Sequence, residues 1–274
     1  MNRIAVVVTT YNRPDALERV LSAYLSQHDR DFELRIADDG STEDTRRLVE
    51  HFAVRAPFPV HHTWHEDHGF RAAAIRNRAV TTTEADYVVF TDGDCIPLPG
   101  FVAGHRALAE PGWFVAGNRL LLSRRFTERV LRESLALDRY SALDWAYRFL
   151  RRDVNRITPL LRRGAARPAA WRQRQPDRWQ GAKTCNLGVW RADLLRVNGF
   201  DETYSGWGLE DSDLVIRLLH AGVRHKNGRF ATPLAHLWHA ENDRSRLEHN
   251  QGRLDELLAS DRTRARSGLD RYLS

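Results

Sequence analysis

The strongest constraint on the fold is the alternation of short apolar runs with helical patterns over the first 120 residues. Short apolar runs bounded by turn residues are typical of buried strands, and the stretches between them carry apolar residues at helical spacing. Strands that alternate with helices wind into a mostly parallel sheet with helices on its faces. The sequence therefore predicts an α/β fold with strands at Arg3–Thr9, Phe32–Ala37, Val60–Trp64 and Tyr87–Thr91, and a further strand at Trp113–Leu122.

Two helix starts have recognisable signals. The run Asn12-Arg13-Pro14-Asp15 offers a cap residue and a proline in the first turn, ahead of apolar residues at helical spacing. A second helix is predicted after Asp38-Asp39-Gly40-Ser41, where Ser41 and Asp44 resemble a capping pair.

Length and composition exclude several classes of protein. With 274 residues, 42% of them hydrophobic, the chain is long enough for one large α/β domain or a domain plus a smaller lobe. No run approaches the roughly 18 apolar residues of a membrane span, and the N-terminus lacks the pattern of a signal peptide, so we expect a cytoplasmic protein. Cys95 and Cys185 are the only cysteines, which excludes a disulfide framework and a zinc ribbon and suits a reducing compartment.

The net charge of +6 comes almost wholly from arginine, because Lys183 and Lys226 are the only lysines. A basic surface attracts polyanions and anionic membranes. Arginines and aromatic residues occur together at helical spacing in residues 127–179, and residues 159–176 are also rich in proline. We interpret this segment as an insertion over the sheet, with a mobile loop near residues 164–176. An amphipathic helix packed on the core is preferred here to a membrane-binding helix.

Two carboxylates follow the fourth predicted strand, at Asp92 and Asp94. In open parallel sheets ligands collect at the carboxyl ends of the strands, and paired carboxylates suit a divalent cation that holds a diphosphate. A solvated turn is the alternative, because roughly one Asp-x-Asp is expected by chance in a chain of this length. A second such motif lies at residues 211–213.

Five segments occur in an order that resembles the inverting glycosyltransferases of family 2, which have the GT-A fold. The third of them, Gly69–Asn77, and the Gly-Trp-Gly-x-Glu-Asp run of the fifth look most like the chondroitin polymerase transferase domains and the galactosyltransferase group. The resemblance covers roughly residues 3–120 and 180–240. The segments are Val8–Asn12, Asp38–Ser41, Gly69–Asn77, Thr91–Asp94 and Gly206–Leu214.

The resemblance implies a single GT-A domain over residues 1–274. Within it, residues 1–120 are expected to form the half that binds the nucleotide sugar, and residues 121–180 a helical, arginine-rich insertion over the active site. Residues 181–240 are expected to form the acceptor and catalytic half. Residues 241–274, in which charges alternate with leucines, are predicted to be an exposed helical tail.

The donor side of the predicted site is built from three residues. Thr9 and Asp39 come at the ends of the first two strands and so face one crevice, where an acidic acceptor can bind the imide N–H of uracil. An Asx turn or helix cap is the alternative role for Asp39. Arg76 can place a guanidinium against a diphosphate oxygen, with Arg71, Arg78 or a surface ion pair as the rival.

In the resembled family the first Asp of the acidic turn lies near the ribose and the metal, and the second binds the metal. By position these are Asp92 and Asp94. The family's third ligand is a histidine that corresponds to His239, with His236 as its near competitor. A set of carboxylate and imidazole ligands suits Mn2+ better than Mg2+, although either could serve as the cofactor.

An inverting transfer needs a base on the acceptor side of the sugar, opposite the leaving diphosphate. In the resembled family the base is the Asp of the Glu-Asp pair, here Asp211, and the Glu, here Glu210, binds acceptor hydroxyls. A helix is predicted from this pair to Ala221-Gly222. Trp207, between two glycines, offers a face on which a sugar can stack. Asn186 corresponds to a residue that touches donor-sugar hydroxyls, although this chain departs from the commoner Gly-x-Asn pattern there.

The predicted function is a metal-dependent inverting transfer of a hexose or N-acetylhexosamine from a UDP-sugar to a hydroxyl of a bacterial cell-surface glycan precursor. Lipopolysaccharide core, O-antigen or capsule assembly is the expected setting, with a glycan or lipid-linked glycan acceptor and a peripheral contact with the anionic inner membrane. One alternative is a sugar-nucleotide nucleotidyltransferase, although the first strand lacks the Gly-rich loop of that chemistry. Another is a basic nucleic-acid-binding protein, although no RNA or DNA module is recognisable.

Overall fold

The computed structural model describes residues 3–157, 168–240 and 243–273. The strands of this part of the chain are β1 Ile4–Thr10, β2 Phe32–Asp38, β3 Val60–Trp64, β4 Tyr87–Asp92, β5 Cys95–Pro97, β6 Trp113–Ala116, β7 Arg119–Leu121, β8 Leu187–Trp190, β9 Arg224–Asn227 and β10 Leu234–His236. The helices are α1 Pro14–Tyr24, α2 Glu43–Arg55, α3 Ala72–Thr81, α4 Phe101–Leu108, α5 Arg124–Arg132, α6 Ala142–Leu150, α7 Ala169–Arg172, α8 Arg191–Arg196, α9 Glu210–His220 and α10 Leu247–Leu258.

Seven strands form the central sheet, in the order β3-β2-β1-β4-β8-β6-β9. The first four strands of the chain are mutually parallel, and β8 runs antiparallel to both of its neighbours. Successive residues of β1 point into different apolar clusters, Val6 and Val8 into one and Val7 into the other. The sheet is therefore buried on both faces, as parallel sheets flanked by helices are. The predicted α/β fold is confirmed, and the first four predicted strands match to within one residue at each end.

The prediction of one strand at Trp113–Leu122 is wrong. The chain leaves the central sheet after β6, and β7 instead joins a three-stranded sheet of order β5-β10-β7. The break lies at Gly117, where an added Cβ would come within 2.3 Å of the Asn186 side chain. A glycine is therefore required where the two sheets separate.

The predicted helix caps are also wrong, although both helices begin where the sequence indicated. The Asn12 side chain accepts from the Thr42 N–H at 2.9 Å, and the Asn12 N–H donates to Ser41 Oγ at 2.9 Å. These bonds tie the loop after β1 to the loop after β2. They fix the spacing of two strand ends that form one wall of the site described below.

The described helices of residues 121–180 pack beside the three-stranded sheet. Phe126 and Val130 of α5, with Trp145 of α6, belong to the same apolar cluster as Leu234 and Leu237 around β10. The interpretation of this segment as helices packed on the core is thus confirmed for α5 and α6. Residues 158–167 lie outside the described residues, and they contain the first four residues of the predicted mobile loop, 164–167; within the rest of that loop, residues 169–172 form α7. Among the residues that are described, no helix is long and apolar enough to cross a membrane.

Candidate active site

A cleft of about 810 Å³ opens at the carboxyl ends of β1 and β4 and at the N-terminus of α9. The parallel register places Thr9 beside Asp92, so residues far apart in sequence meet at this edge. With the exception of Asn186, every predicted site residue lines the cleft: Thr9, Asp39, Arg76, Asp92, Asp94, Trp207, Glu210, Asp211 and His239. His236, the alternative to His239, lines it too.

Asp39 is buried in the wall formed by the loop after β2. Its Oδ1 lies 2.6 Å from His65 Nε2, and its Oδ2 accepts from the Arg71 N–H at 2.8 Å. The Asx turn that could have explained an acidic residue here belongs to Asp38, whose Oδ1 accepts from the Ser41 N–H. Asp39 is thus held in position by groups outside the turn, and each of its oxygens keeps a second lone pair.

Arg76 of α3 connects three elements at the floor of the cleft. Its guanidinium donates to Thr9 Oγ1 at 2.9 Å, to Glu210 Oε1 at 3.0 Å and to Asp92 Oδ1 at 3.3 Å. Burial disfavours the charged guanidinium, but the carboxylates of Asp92 and Glu210 outweigh it and raise the pKa of Arg76. We call Arg76, Asp92 and Glu210 the arginine network.

Asp94 lies at the other end of the cleft, beside the three-stranded sheet. Its Oδ2 is 3.5 Å from His236 Nε2 and 3.4 Å from His239 Nε2. We call these three residues the imidazole cluster. Burial, together with the positive charge of Arg119, lowers the pKa of His236 to about 3, so its ring is neutral.

The imidazole cluster fits a divalent cation. His239 Nδ1 lies 2.7 Å from the Ala240 carbonyl, which can only accept, so in the neutral ring Nε2 carries the lone pair. That lone pair faces the Asp94 carboxylate, and a cation between the two acceptors satisfies both. Cys95 lies near Asp94 and His236 as a further donor. Thiolate is a soft ligand that suits Mn2+ and Mg2+ less well than carboxylate and imidazole do, so His239 fits better than Cys95.

Glu210 and Asp211 are the first residues of α9, as predicted, and the helix ends at His220, with Ala221 as its C-cap and Gly222 in the left-handed region. Leu209 precedes them at φ 75°, a backbone conformation that is uncommon for a branched residue and indicates local strain. Glu210 is buried against Arg76, and burial, with the nearby Asp211, raises its pKa. Asp211 is partly exposed in the cleft, where it can reach a bound substrate.

Trp207 lies in a loop that the C-terminal part of the chain holds in place. Gly206 and Gly208 on either side have φ of 71° and 108°. Asn250 of α10 donates to the Gly208 carbonyl at 3.0 Å, and the Arg244 guanidinium stacks 5.2 Å from the Trp207 ring. The tail is helical and most of its described residues are exposed, but Leu254 and Leu257 of α10 pack on α9, so the tail also supports this loop.

Asn186 does not contact the cleft, and the prediction that it touches the donor sugar disagrees with its position. Its side chain is buried, with Oδ1 3.0 Å from His105 Nε2. Its amide nitrogen donates to the carbonyls of Asn118 and Thr232. Both amide hydrogens are thus used within the protein, and Asn186 fixes the junction of the two sheets.

Sequence reasoning missed four residues of the cleft region. His65 positions Asp39, and Arg119, Lys183 and Arg244 contribute positive charge to the lining. His65 follows β3 directly, so its place at the same sheet edge as Asp39 could have been inferred from the strand prediction. The three basic residues carry no such signal in an arginine-rich chain.

Comparison with known proteins gives two family matches. Residues 5–177 match the family described as glycosyl transferase family 2, and residues 170–241 match the N-terminal domain of galactosyltransferase. The chain is 29% identical to a validoxylamine A glucosyltransferase of Streptomyces hygroscopicus over 80% of this chain and 52% of that protein. It is 23% identical to a chondroitin synthase of Escherichia coli over 80% of this chain and 32% of that protein. The chain thus spans about half or less of the length of these relatives.

Two solved structures share the fold. A mannosyltransferase from Pyrobaculum calidifontis, PcManGT, solved with GDP-Man and Mn2+, has a TM-score of 0.59 at 20% identity and covers 86% of this chain and 57% of its own. Residues 1–349 of TarS from S. aureus give a TM-score of 0.60 at 14% identity, covering 98% of this chain and 68% of their own. At these identities the likeness shows the GT-A fold.

Proposed function

Because the chain belongs to glycosyl transferase family 2, we propose that it moves a hexose or N-acetylhexosamine from a UDP-sugar to a hydroxyl of a bacterial cell-surface glycan precursor, with inversion at the anomeric carbon. Lipopolysaccharide core, O-antigen or capsule assembly is the proposed setting. The observation that carries the proposal is the meeting, in one cleft, of Asp39, the arginine network, the imidazole cluster and the partly exposed Asp211.

Recognition of the donor base is assigned to the wall that contains Asp39. His65 and the Arg71 N–H orient the carboxylate, and its remaining lone pairs are available to the imide N–H of a uracil. Thr9 and Arg76 line the same cleft, where Arg76 can contact the diphosphate. This arrangement favours a uridine nucleotide.

Asp94, His236 and His239 would hold the cation, and a bound Mn2+ or Mg2+ would supply positive charge to the diphosphate. Mn2+ is preferred because imidazole is a poor ligand for Mg2+. The solved mannosyltransferase that shares this fold contains Mn2+, which supports a divalent ion here.

In the transfer step Asp211 accepts the proton of the acceptor hydroxyl while the oxygen forms a bond to the anomeric carbon. The bond from that carbon to the diphosphate oxygen breaks at the same time, and its electron pair leaves with the nucleotide diphosphate. Attack from the face opposite the leaving group inverts the configuration. Glu210, held by Arg76, binds acceptor hydroxyls, and Trp207 provides a stacking face.

A contact with an anionic membrane is proposed for α6. Leu143, Tyr147 and Leu150 lie on one face of this helix at spacings of four and three, and they are 82%, 53% and 79% exposed. Trp145 on the opposite face is fully buried. Arg139 precedes the helix, and Arg151 and Arg152 follow it; all three are exposed and form no ion pair within the described chain. An apolar helix face bordered by arginines fits an anionic lipid surface.

Thermal-shift measurements with UDP-, GDP-, dTDP- and CMP-sugars, with and without Mn2+, test the proposed function. A ligand at 100 times its Kd stabilises a protein by about 2.7 kcal/mol. We expect UDP-sugars with Mn2+ to raise the melting temperature most, and Asp39→Ala to lose most of that shift. Equal shifts with all four nucleotides would contradict uridine selection, and the absence of any shift would contradict a nucleotide-sugar site.

A further inference from the structure

A second cavity, of about 230 Å³, opens next to the cleft. It lies between the end of β6, the start of β7, residues 175–183 and β9. Arg119, Lys183 and Cys185 line both the cavity and the cleft, so the two spaces adjoin. A molecule in the cleft can therefore extend a substituent into the cavity.

The lining of this cavity is positively charged. Five cations line it, and no Asp or Glu is found among the described residues of the lining. Within the part of the chain that is described, four of the five form no side-chain hydrogen bond or ion pair. The cations are Arg119, Arg156, Arg178, Lys183 and Arg229, and Arg178 is the one that bonds, to Gln175 Oε1 and the Gln180 carbonyl.

The simpler interpretation is that the basic residues of this lining are ordinary surface residues in contact with solvent. Two features argue against it. An arginine of the adjoining β9 finds a carboxylate partner, as Arg224 does with Asp177. In the cavity wall, burial and the charges of Arg178 and Arg229 lower the pKa of His225, against the effect of the Gln175 carbonyl. The cations therefore act together on one concave space.

We infer that this cavity binds an oxyanion carried by the acceptor, either a phosphate ester or the carboxylate of a uronic acid. Guanidinium groups bind both through charge-assisted hydrogen bonds. Ligand pockets for larger molecules have volumes of about 300–1,000 Å³, so a cavity of this size suits one anionic group rather than a second nucleotide. The inference rests on the proposed function and specifies it further, because it makes the acceptor an anionic glycan.

Isothermal titration of the protein with inorganic phosphate and with glucuronate, in buffer freed of divalent cations, tests the inference. Without a metal the carboxylates of the cleft disfavour anions, which leaves the cavity as the binding space. Both Arg156 and Arg229 are exposed and can be changed without disturbing the core. The double variant Arg156→Gln/Arg229→Gln should weaken binding of the anion roughly tenfold or more.

The matched control is Arg30→Gln/Arg55→Gln, because both arginines are exposed and neither lines a cavity described here. This control should bind the anion as the parent does. Phosphate binding without glucuronate binding would identify a phosphate ester, and the reverse a uronic acid. If the parent binds neither anion, or if Arg156→Gln/Arg229→Gln binds as tightly as the parent, the inference is wrong. Binding of UDP with Mn2+ is measured on the same samples. If UDP binds but neither anion does, the inference about the cavity is wrong while the proposed donor site stands.

Discussion

The two carboxylate groups at the floor of the cleft differ in how their charge is balanced. In the arginine network, Asp92 and Glu210 share the guanidinium of Arg76, which lies within hydrogen-bond distance of both. In the imidazole cluster, Asp94 faces His236 and His239 and no arginine bonds to it within the described chain. The first group already contains its cation, whereas the second gains one only when an ion binds or an imidazole is protonated.

This difference assigns separate roles to two aspartates that belong to one short motif in the sequence. The two aspartates of Asp92-Gly93-Asp94 are separated by a single residue, yet Asp92 bonds to Arg76 of α3, which also bonds to α9, and Asp94 faces His236 of β10. Substitutions in the arginine network should therefore disturb the organisation of the site. Substitutions in the imidazole cluster should act through the metal.

The largest effect is expected at Asp94. We expect Asp94→Ala to abolish nucleotide-sugar turnover, because the cluster loses its only carboxylate. EDTA should do the same to the parent protein, and added Mn2+ should restore it. Turnover is measured as release of nucleoside diphosphate. Full activity of the parent in EDTA would rule out a metal role for the imidazole cluster.

A smaller but still large effect is expected at Asp211, which belongs to neither group. Asp211→Asn keeps the size of the side chain but cannot accept a proton, so turnover should fall by roughly 100 to 10,000-fold. Donor binding should be unchanged, since the nucleotide is held by other residues. If Asp211→Asn turned over at a near-parental rate, Glu210 of the arginine network would become the candidate base.

The stereochemistry of the product tests the same step independently. The new glycosidic bond should have the anomeric configuration opposite to that of the donor, because base and leaving group lie on opposite faces of the sugar. NMR of the product reports this configuration. A product that retains the donor's configuration would exclude a single displacement with Asp211 as base.

Asn186 is expected to affect stability rather than binding. Its buried side chain bonds to three groups, two of them buried, so Asn186→Ala should lower the free energy of unfolding by about 2–4 kcal/mol. Urea denaturation measures the loss, and the KM for the donor should change little in the folded protein. A large rise in that KM with little loss of stability would instead support the prediction that Asn186 contacts the donor sugar.

The smallest effect is expected far from both carboxylate groups, on α6. Liposomes that contain anionic lipid should retain the protein at low salt and release it as ionic strength rises, since each basic residue near the surface contributes about 1 kcal/mol. Leu143→Gln/Leu150→Gln should weaken retention, whereas Val54→Gln, which changes an 88% exposed apolar residue of α2, should not. Equal retention on neutral liposomes would contradict the electrostatic contact.

The sequence predicted the half of the site that depends on strand ends. Thr9, Asp39, Asp92 and Asp94 follow apolar runs whose length and spacing indicate strands, and parallel strands bring their carboxyl ends together. Partners fixed by long-range packing could not be predicted in this way. The bonds of Arg76 to Glu210 and of Asn186 to His105 join residues 134 and 81 positions apart, and no local pattern specifies them.

The same limit applies to β7 and α10. The apolar pattern of Trp113–Leu122 is that of one strand, and only the close approach of Asn186 to Gly117 shows why the chain divides between two sheets. From sequence, the charged tail is predicted to be an exposed helix, because apolar residues such as Leu254 and Leu257 are few and most of the tail is polar. Both are buried against α9 once the fold forms.

The contrast between the arginine network and the imidazole cluster is tested most directly by titration of Mn2+ in the presence of UDP. Electron paramagnetic resonance follows the free ion. We compare the parent with Asp94→Asn and Asp92→Asn, which each remove one negative charge. Loss of a metal ligand should weaken Mn2+ binding by roughly 100-fold in Asp94→Asn, whereas Asp92→Asn, whose charge Arg76 already balances, should change it less than about tenfold. Equal losses in the two variants, or a parent that binds no Mn2+, would contradict the assignment of the cation to the imidazole cluster.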